Sequence, residues 1–226
     1  MGVVNKQSLN ATLDAIDEAF FFDRRLSKAD RVEAARWIAG RQGLPGSYHG
    51  MFAPTKRDVE RGFQAFTGDR MRTRVGTAHV LSEEAARALI LLDVDEAAVR
   101  DALRRATESI TPYLEPLDGP RAGFYCCGKC TVAYWRHLAV GGLDHAERRL
   151  AAGMKQLKAR RQDNGRWGLY PFWYTVLALT EIELPSARRE LRHAGPVCER
   201  ILKRKPKDEP FAARRRAVAE QVLSKC

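Results

Sequence analysis

Apolar residues recur at helical spacing in almost every segment of this chain, and that periodicity leaves little room for any fold but a helical one. Leu9, Leu13, Ile16 and Phe20 share one face by the i, i+4, i+7 rule. Ser27-Lys28-Ala29-Asp30 predicts the cap of a second helix, with Val32, Ala35 and Ala39 on one face. Thr55-Lys56-Arg57-Asp58 repeats the capping pattern before Val59, Phe63 and Phe66. A helix over 77–92 carries Ala78, Leu81, Ala85, Leu89 and Leu92, and Asp95 starts another that ends near Pro112, since proline has no backbone donor. Asp144-His145-Ala146-Glu147 caps a helix bearing Leu150, Met154 and Leu157. Two more helices are predicted over 171–182 and 186–203, with Gly195-Pro196 kinking or breaking the second. Asn164-Gly165 and Asp118-Gly119 both follow helical patterns instead of joining alternating apolar runs, so hairpins have little support. The expected fold class is all-α.

The turns between these helices repeat one chemistry. Arg41-Gln42 precedes Gly46-Ser47-Tyr48, Arg161-Gln162 precedes Gly165-Arg166-Trp167, and Gly123-Phe124-Tyr125 opens in the same way. Glycine permits a tight or positive-φ turn, and the aromatic that follows seals the joint by burying a large face. A unit of about forty residues built this way belongs with stacked helical arrays. The stretch 161–175, RQDNGRWGLYPFWYT, resembles the Gln-Trp turn motif of terpene cyclases and of their relatives among protein prenyltransferases. That resemblance implies helical hairpins stacked into a closed or partial α/α toroid over about 31–184. It also implies a central cavity suited to a small apolar or isoprenoid-like ligand.

Three of the five cysteines crowd into GFYCCGKCTVAYW, residues 123–135. Cys127-x-x-Cys130 has metal-hairpin or redox spacing, and Cys126 adds a third sulfur. A helix start lowers a thiol pKa, and the thiolate is the form that binds zinc or attacks an electrophile. Cys126, Cys127 and Cys130 are therefore candidate metal ligands. A fourth could be His137, seven residues beyond Cys130, or instead Cys198 or a water. Zinc suits such a sulfur and imidazole set. Redox chemistry and plain packing as small apolar groups remain open as alternatives.

Cys130-Thr131-Val132-Ala133-Tyr134-Trp135 is similar to the segment that opens an inner helix in protein prenyltransferases, where a zinc-binding cysteine precedes small and aromatic residues. The match is partial. Tyr174 stands where that family carries a zinc-binding histidine, and Gly128 where it carries an acidic residue. The resemblance makes Cys130 and Tyr174 candidates for the reacting site, with His49 near the opening of an inner helix and Trp135 and Trp173 as cavity-lining aromatics. His79 joins the catalytic candidates because it stands four residues before Glu83, on one helix face, the spacing of an acid–base or metal pair and also of an ordinary hydrogen bond. Asp93-Val94-Asp95-Glu96 is the string nearest to a cyclase acidic motif and reads more simply as a helix junction.

Charge adds a rival reading. Of the net +11, +7 falls in residues 188–226, which hold twelve Lys/Arg against five Asp/Glu. A helical domain over 1–203 with a basic helical extension over 204–226 is therefore expected. A non-catalytic scaffold that binds nucleic acid or an acidic partner through 188–216 is the alternative to a toroid enzyme. No run approaches a membrane span, and the first residues lack the pattern of a secretory signal, so a cytoplasmic protein is expected.

Overall fold

Side-chain caps open the early helices, at Ser27 and Thr55 as the sequence predicts and at Ser8 in addition. Ser8 accepts the Ala11 N–H ahead of α1 (Leu9–Phe21), and Ser27 accepts the Asp30 N–H ahead of α2 (Lys28–Ala39). Thr55 and Asp58 exchange both bonds of a capping box ahead of α3 (Lys56–Arg61). The computed structural model describes residues 2–205 and 208–226, which are mostly helical, with one short antiparallel ladder of β1 (Phe63–Gln64) and β2 (Arg70–Met71). Among the described residues, no helix is long and apolar enough to cross a membrane.

The chain divides into two compact units. The first comprises Met1–Gln64, Arg70–Leu114 and Val140–Leu143; the second comprises Ala65–Asp69, Glu115–Ala139 and Asp144–Cys226.

In the first unit α4 (Arg74–Leu92) is the central element, packed by α1, α2, α3 and α5 (Ala97–Ile110). Its core is partly polar. Ser82 donates to the Phe52 carbonyl at 2.9 Å, and Arg87 reaches Asp17 of α1 at 2.6 Å, all buried. Buried polar groups are tolerated when bonded in this way. Several expectations need correction here. Phe20 is 41% exposed, and Thr12, Asp17 and Ala19 share the buried face of α1 instead. The helix begun at Lys56 stops at Arg61, because Gly62 takes φ 77 and turns the chain into β1, so Phe63 lies on a strand. Asp95 caps nothing: Glu96 is the N-cap residue of α5, while Asp93 ends α4 in the left-handed region at φ 49. The stop near Pro112 holds, as a 3-10 turn over Thr111–Tyr113.

In the second unit α8 (Phe172–Glu181) is central, against α6 (Gly128–Ala139), α9 (Pro185–Lys203) and α10 (Ala212–Ser224), with α7 (Ala146–Lys158) packed on α6 and α9. The predicted break in α9 does not occur; the helix runs through Pro196. Around Gly195 the helix packs against α10, with Leu223 and Cys226 over it. The basic segment is built into this unit, since Val218, Ala219 and Val222 of α10 are fully buried.

The repeated turns are present, with their register shifted by one. Gln42 pairs with Phe52 and Arg161 with Trp167 as isolated antiparallel bridges, so Phe52, not Tyr48, is the counterpart of Trp167. Gly46, Gly123 and Gly165 adopt φ of 88, 72 and 80, the left-handed conformation the turn chemistry requires. In the second unit Glu190 of α9 accepts the Trp167 indole N–H at 3.0 Å and both arms of Arg161 at 2.9 Å, which locks the turn to the next helix.

Candidate thiol site

The segment before α6 is held from within. Thr131, in the first turn of the helix, accepts the Tyr125 N–H at 2.9 Å and is also within hydrogen-bond distance of the Tyr125 and Cys127 carbonyls, both at 2.8 Å. The Trp135 indole N–H, one turn further along, donates to the Gly123 carbonyl at 2.7 Å. Gly128 presses against the backbone of Leu169 and Tyr170, a contact that a side chain would block. Leu169 itself takes φ 72 and is 66% exposed.

This scaffold gathers three thiols at one helix start. Cys130 is buried, Cys127 half-buried and Cys126 exposed, and none of the five cysteines is in a disulfide. The sulfurs of Cys126 and Cys130 lie within 4.8 Å of one another. The three thiols also hydrogen-bond among themselves, and that coupling separates their acidities. Cys127 is pulled far below the usual thiol value, first by Cys126 and then by Cys130, with backbone N–H groups of the helix start adding to the effect. Cys130 is pushed up by its bonds with Cys126 and Cys127 and then by burial. Cys126 is raised to about 11, chiefly by its bond with Cys127. The direction of these shifts favours Cys127 as the group that ionises first.

A carboxyl group that no sequence pattern pointed to lies in the same unit. Asp69 accepts from Thr67 Oγ1 at 2.8 Å and from the Tyr174 backbone N–H at the start of α8, and Arg215 and Lys129 act on it electrostatically. Burial nonetheless raises its pKa above the ordinary 3.8. Arg215 donates to the Thr67 carbonyl at 2.8 Å and Arg214 to that of Phe66 at 3.3 Å, so α10 grips residues 65–69.

His137 is buried on α6, but seven residues place it about 10.5 Å along the axis from Cys130. It stands apart from the thiols. Trp135 is fully buried, stacked on Tyr170 with centroids 5.4 Å apart, and serves as a core wedge. Tyr174 is buried with the Arg136 guanidinium 5.7 Å from its ring, and Arg136 is paired with Glu181 at 2.8 and 2.9 Å. Trp173 is half-buried, with the Arg215 guanidinium 5.9 Å from its ring.

In the first unit His79 is fully buried on α4, stacked on Tyr48 at 4.0 Å, with Nε2 3.5 Å from Glu83 Oε1. The i, i+4 spacing therefore produces a buried pair, not a surface one. His49 is exposed and stacks on Tyr113 at 3.7 Å; burial and then the nearby His79 lower its pKa. Asp93 and Asp95 lie at the α4–α5 junction, with Asp95 paired to Arg100, as the simpler reading expected.

Comparison with protein-family models, with curated proteins and with solved structures gives no significant match. What fold and site define is a two-unit helical protein with a three-thiol cluster at the start of a buried helix. Cys126 and Cys130 are among the residues that could hold a metal ion.

Proposed function

We propose that Cys126, Cys127 and Cys130 hold a zinc ion with a position left open for a ligand, in a protein organised like the prenyltransferase and terpene-cyclase toroids. The observation that carries this reading is the convergence of three sulfurs at one helix start. Zinc–sulfur bonds of about 2.3 Å in a tetrahedral site set sulfurs about 3.8 Å apart, which the spacing of Cys126 and Cys130 accommodates with small side-chain rotations. Three thiolates on a dication leave one net negative charge, and the N-terminus of α6 together with the adjacent Lys129 offsets it. A three-ligand site is the arrangement in which bound zinc acts as a Lewis acid or activates a thiolate or water, whereas purely structural sites are closed by a fourth protein ligand.

The chain's own residues would do the rest. Thr131 and Trp135 fix the backbone that carries the sulfurs, and Gly128 seats the helix start against 169–170. The small apolar ligand comes from the family resemblance alone, with Trp173 and Tyr174 as its candidate contacts.

The basic-scaffold alternative draws less support. Arg214, Arg215 and Arg216 of the basic segment all donate to backbone carbonyls within their own unit. A redox dithiol is the second reading, favoured by the lowered pKa of Cys127 beside Cys130.

Metal content per chain, measured by mass spectrometry on tag-free protein equilibrated with zinc and dialysed, tests the proposal. About one zinc per chain is expected, lost in a folded C126S/C127S/C130S variant. A metal-free wild type would overturn it, and a Cys127–Cys130 disulfide under mild oxidant would then establish the redox reading.

A further inference from the structure

Cys198 and Cys226 take no part in the thiol site. Both belong to the second unit, Cys198 fully buried on α9 and Cys226 exposed just beyond α10. Their thiols are close enough to act on one another electrostatically. The Cys226 sulfur lies 3.7 Å from the position a Gly195 Cβ would take, beside Leu223 at 3.8 Å. Cys198 follows Gly195 by three residues on the same helix, so the two are neighbours on one face. Helical Cβ bonds lean toward the N-terminus, which tips the Cys198 side chain back toward the Gly195 turn and the sulfur above it.

We propose that Cys198 and Cys226 form a reversible disulfide joining the end of α10 to α9, made by exchange with a low-molecular-weight disulfide such as oxidised glutathione. The exposed Cys226 reacts first: its thiol loses a proton, the thiolate attacks one sulfur of glutathione disulfide, and one glutathione thiolate leaves. Cys198 then loses its proton and attacks the Cys226 sulfur of the mixed disulfide, releasing the second glutathione. Two protein thiols are oxidised, one external disulfide is reduced to two thiols, and the two protons are taken up by the departing thiolates.

The two groups differ in readiness. Burial raises both thiols, Cys198 to about 12 with the Cys226 sulfur adding to it, while Arg192 beside Cys226 opposes the rise there. The first step is therefore the easier one, and the second is gated by deprotonation of a buried group. Because α10 carries the arginines that grip residues 65–69, the cross-link would also steady that grip.

The test uses the full chain, fully reduced and then equilibrated at mildly alkaline pH with glutathione buffers of increasing oxidised fraction. Non-reducing peptide mapping should show a peptide pair containing Cys198 and Cys226, about 2 Da lighter than the two thiol peptides together. The oxidised protein should also melt at higher temperature than the reduced one, and C226S should abolish both effects. Persistence of the pair in C126S/C127S/C130S would separate it from the metal site, and mapping of wild type answers the question alone if that variant does not fold. A stable glutathione adduct on Cys226 without the pair, or pairing of Cys226 only with Cys126 or Cys127, would overturn the proposal.

Discussion

Gly128 stands between two of the three clustered cysteines, and replacing it with alanine separates helix propensity from packing. A Cβ there would overlap the carbonyl oxygen of Leu169, stand 2.8 Å from its carbonyl carbon and lie 3.2 Å from the Tyr170 Cα. Propensity alone favours alanine by about 0.5–1 kcal/mol. Overpacking costs about 1–3 kcal/mol, and the upper end applies because both partners are backbone and no rotamer change relieves the overlap. The expected net loss is about 2 kcal/mol, roughly a thirtyfold fall in the folded-to-unfolded ratio. Urea unfolding of G128A against wild type reads this directly. Gly168 is the control, in the same segment: its nearest non-local atom to a new Cβ is 3.8 Å away and its φ is not left-handed. G168A is therefore expected to be neutral or to stabilise by about 0.4–1 kcal/mol. If G128A is as stable as G168A, the close seating of the α6 start against 169–170 is wrong, and with it the scaffold argued for the thiols.

Three further outcomes follow from the second unit. E190A should cost about 3 kcal/mol in urea unfolding, because it strands the buried Trp167 indole N–H and releases Arg161, whereas E190Q, which keeps an acceptor, should cost less. W135F should cost about 2–3 kcal/mol by leaving the Gly123 carbonyl without its indole donor and opening a void beside Tyr170. For Asp69 the sign runs against the usual carboxylate: its folded pKa lies above the unfolded value of 3.8, so the folded state binds the proton more tightly. Stability linked to it is full below that pH and is lost as pH rises through the folded pKa. D69N should remove that decline, so unfolding free energies of variant and wild type measured from pH 4 to pH 7 should diverge in favour of D69N as pH rises; parallel curves would refute it.

The helices were legible because burial and period coincide. Leu150, Met154 and Leu157 of α7 are all buried, and the Ser27 and Thr55 caps form as their side chains dictate. The thiol cluster was legible for a similar reason, since three cysteines within five residues at a helix start cannot place their sulfurs far apart. Failures came where distant chain decides local form. The run Val59, Phe63, Phe66 has helical spacing, but the backbone of Met71, which a side chain at Gly62 would strike, turns the chain there. Pro196 reads as a break, yet packing of α10 over Gly195 holds α9 through it. Asp69 carries no periodic signal, because its importance lies in meeting an amide more than a hundred residues later. His137 shows the limit of counting turns: a shared helix face does not bring two side chains within reach of one ion.

The turn locked by Glu190 offers a practical handle. Its bonds are made by the residues that flank the tip, Arg161 and Trp167, while Gln162, Asp163 and Asn164 are exposed. A short epitope or a dye-bearing residue placed between Asp163 and Asn164 would extend a loop whose closure is secured on both sides, and longer loops add little entropic cost. That position gives a reporter on the second unit which disturbs neither the thiols nor α10, and so a means of watching metal uptake and oxidation in the intact protein.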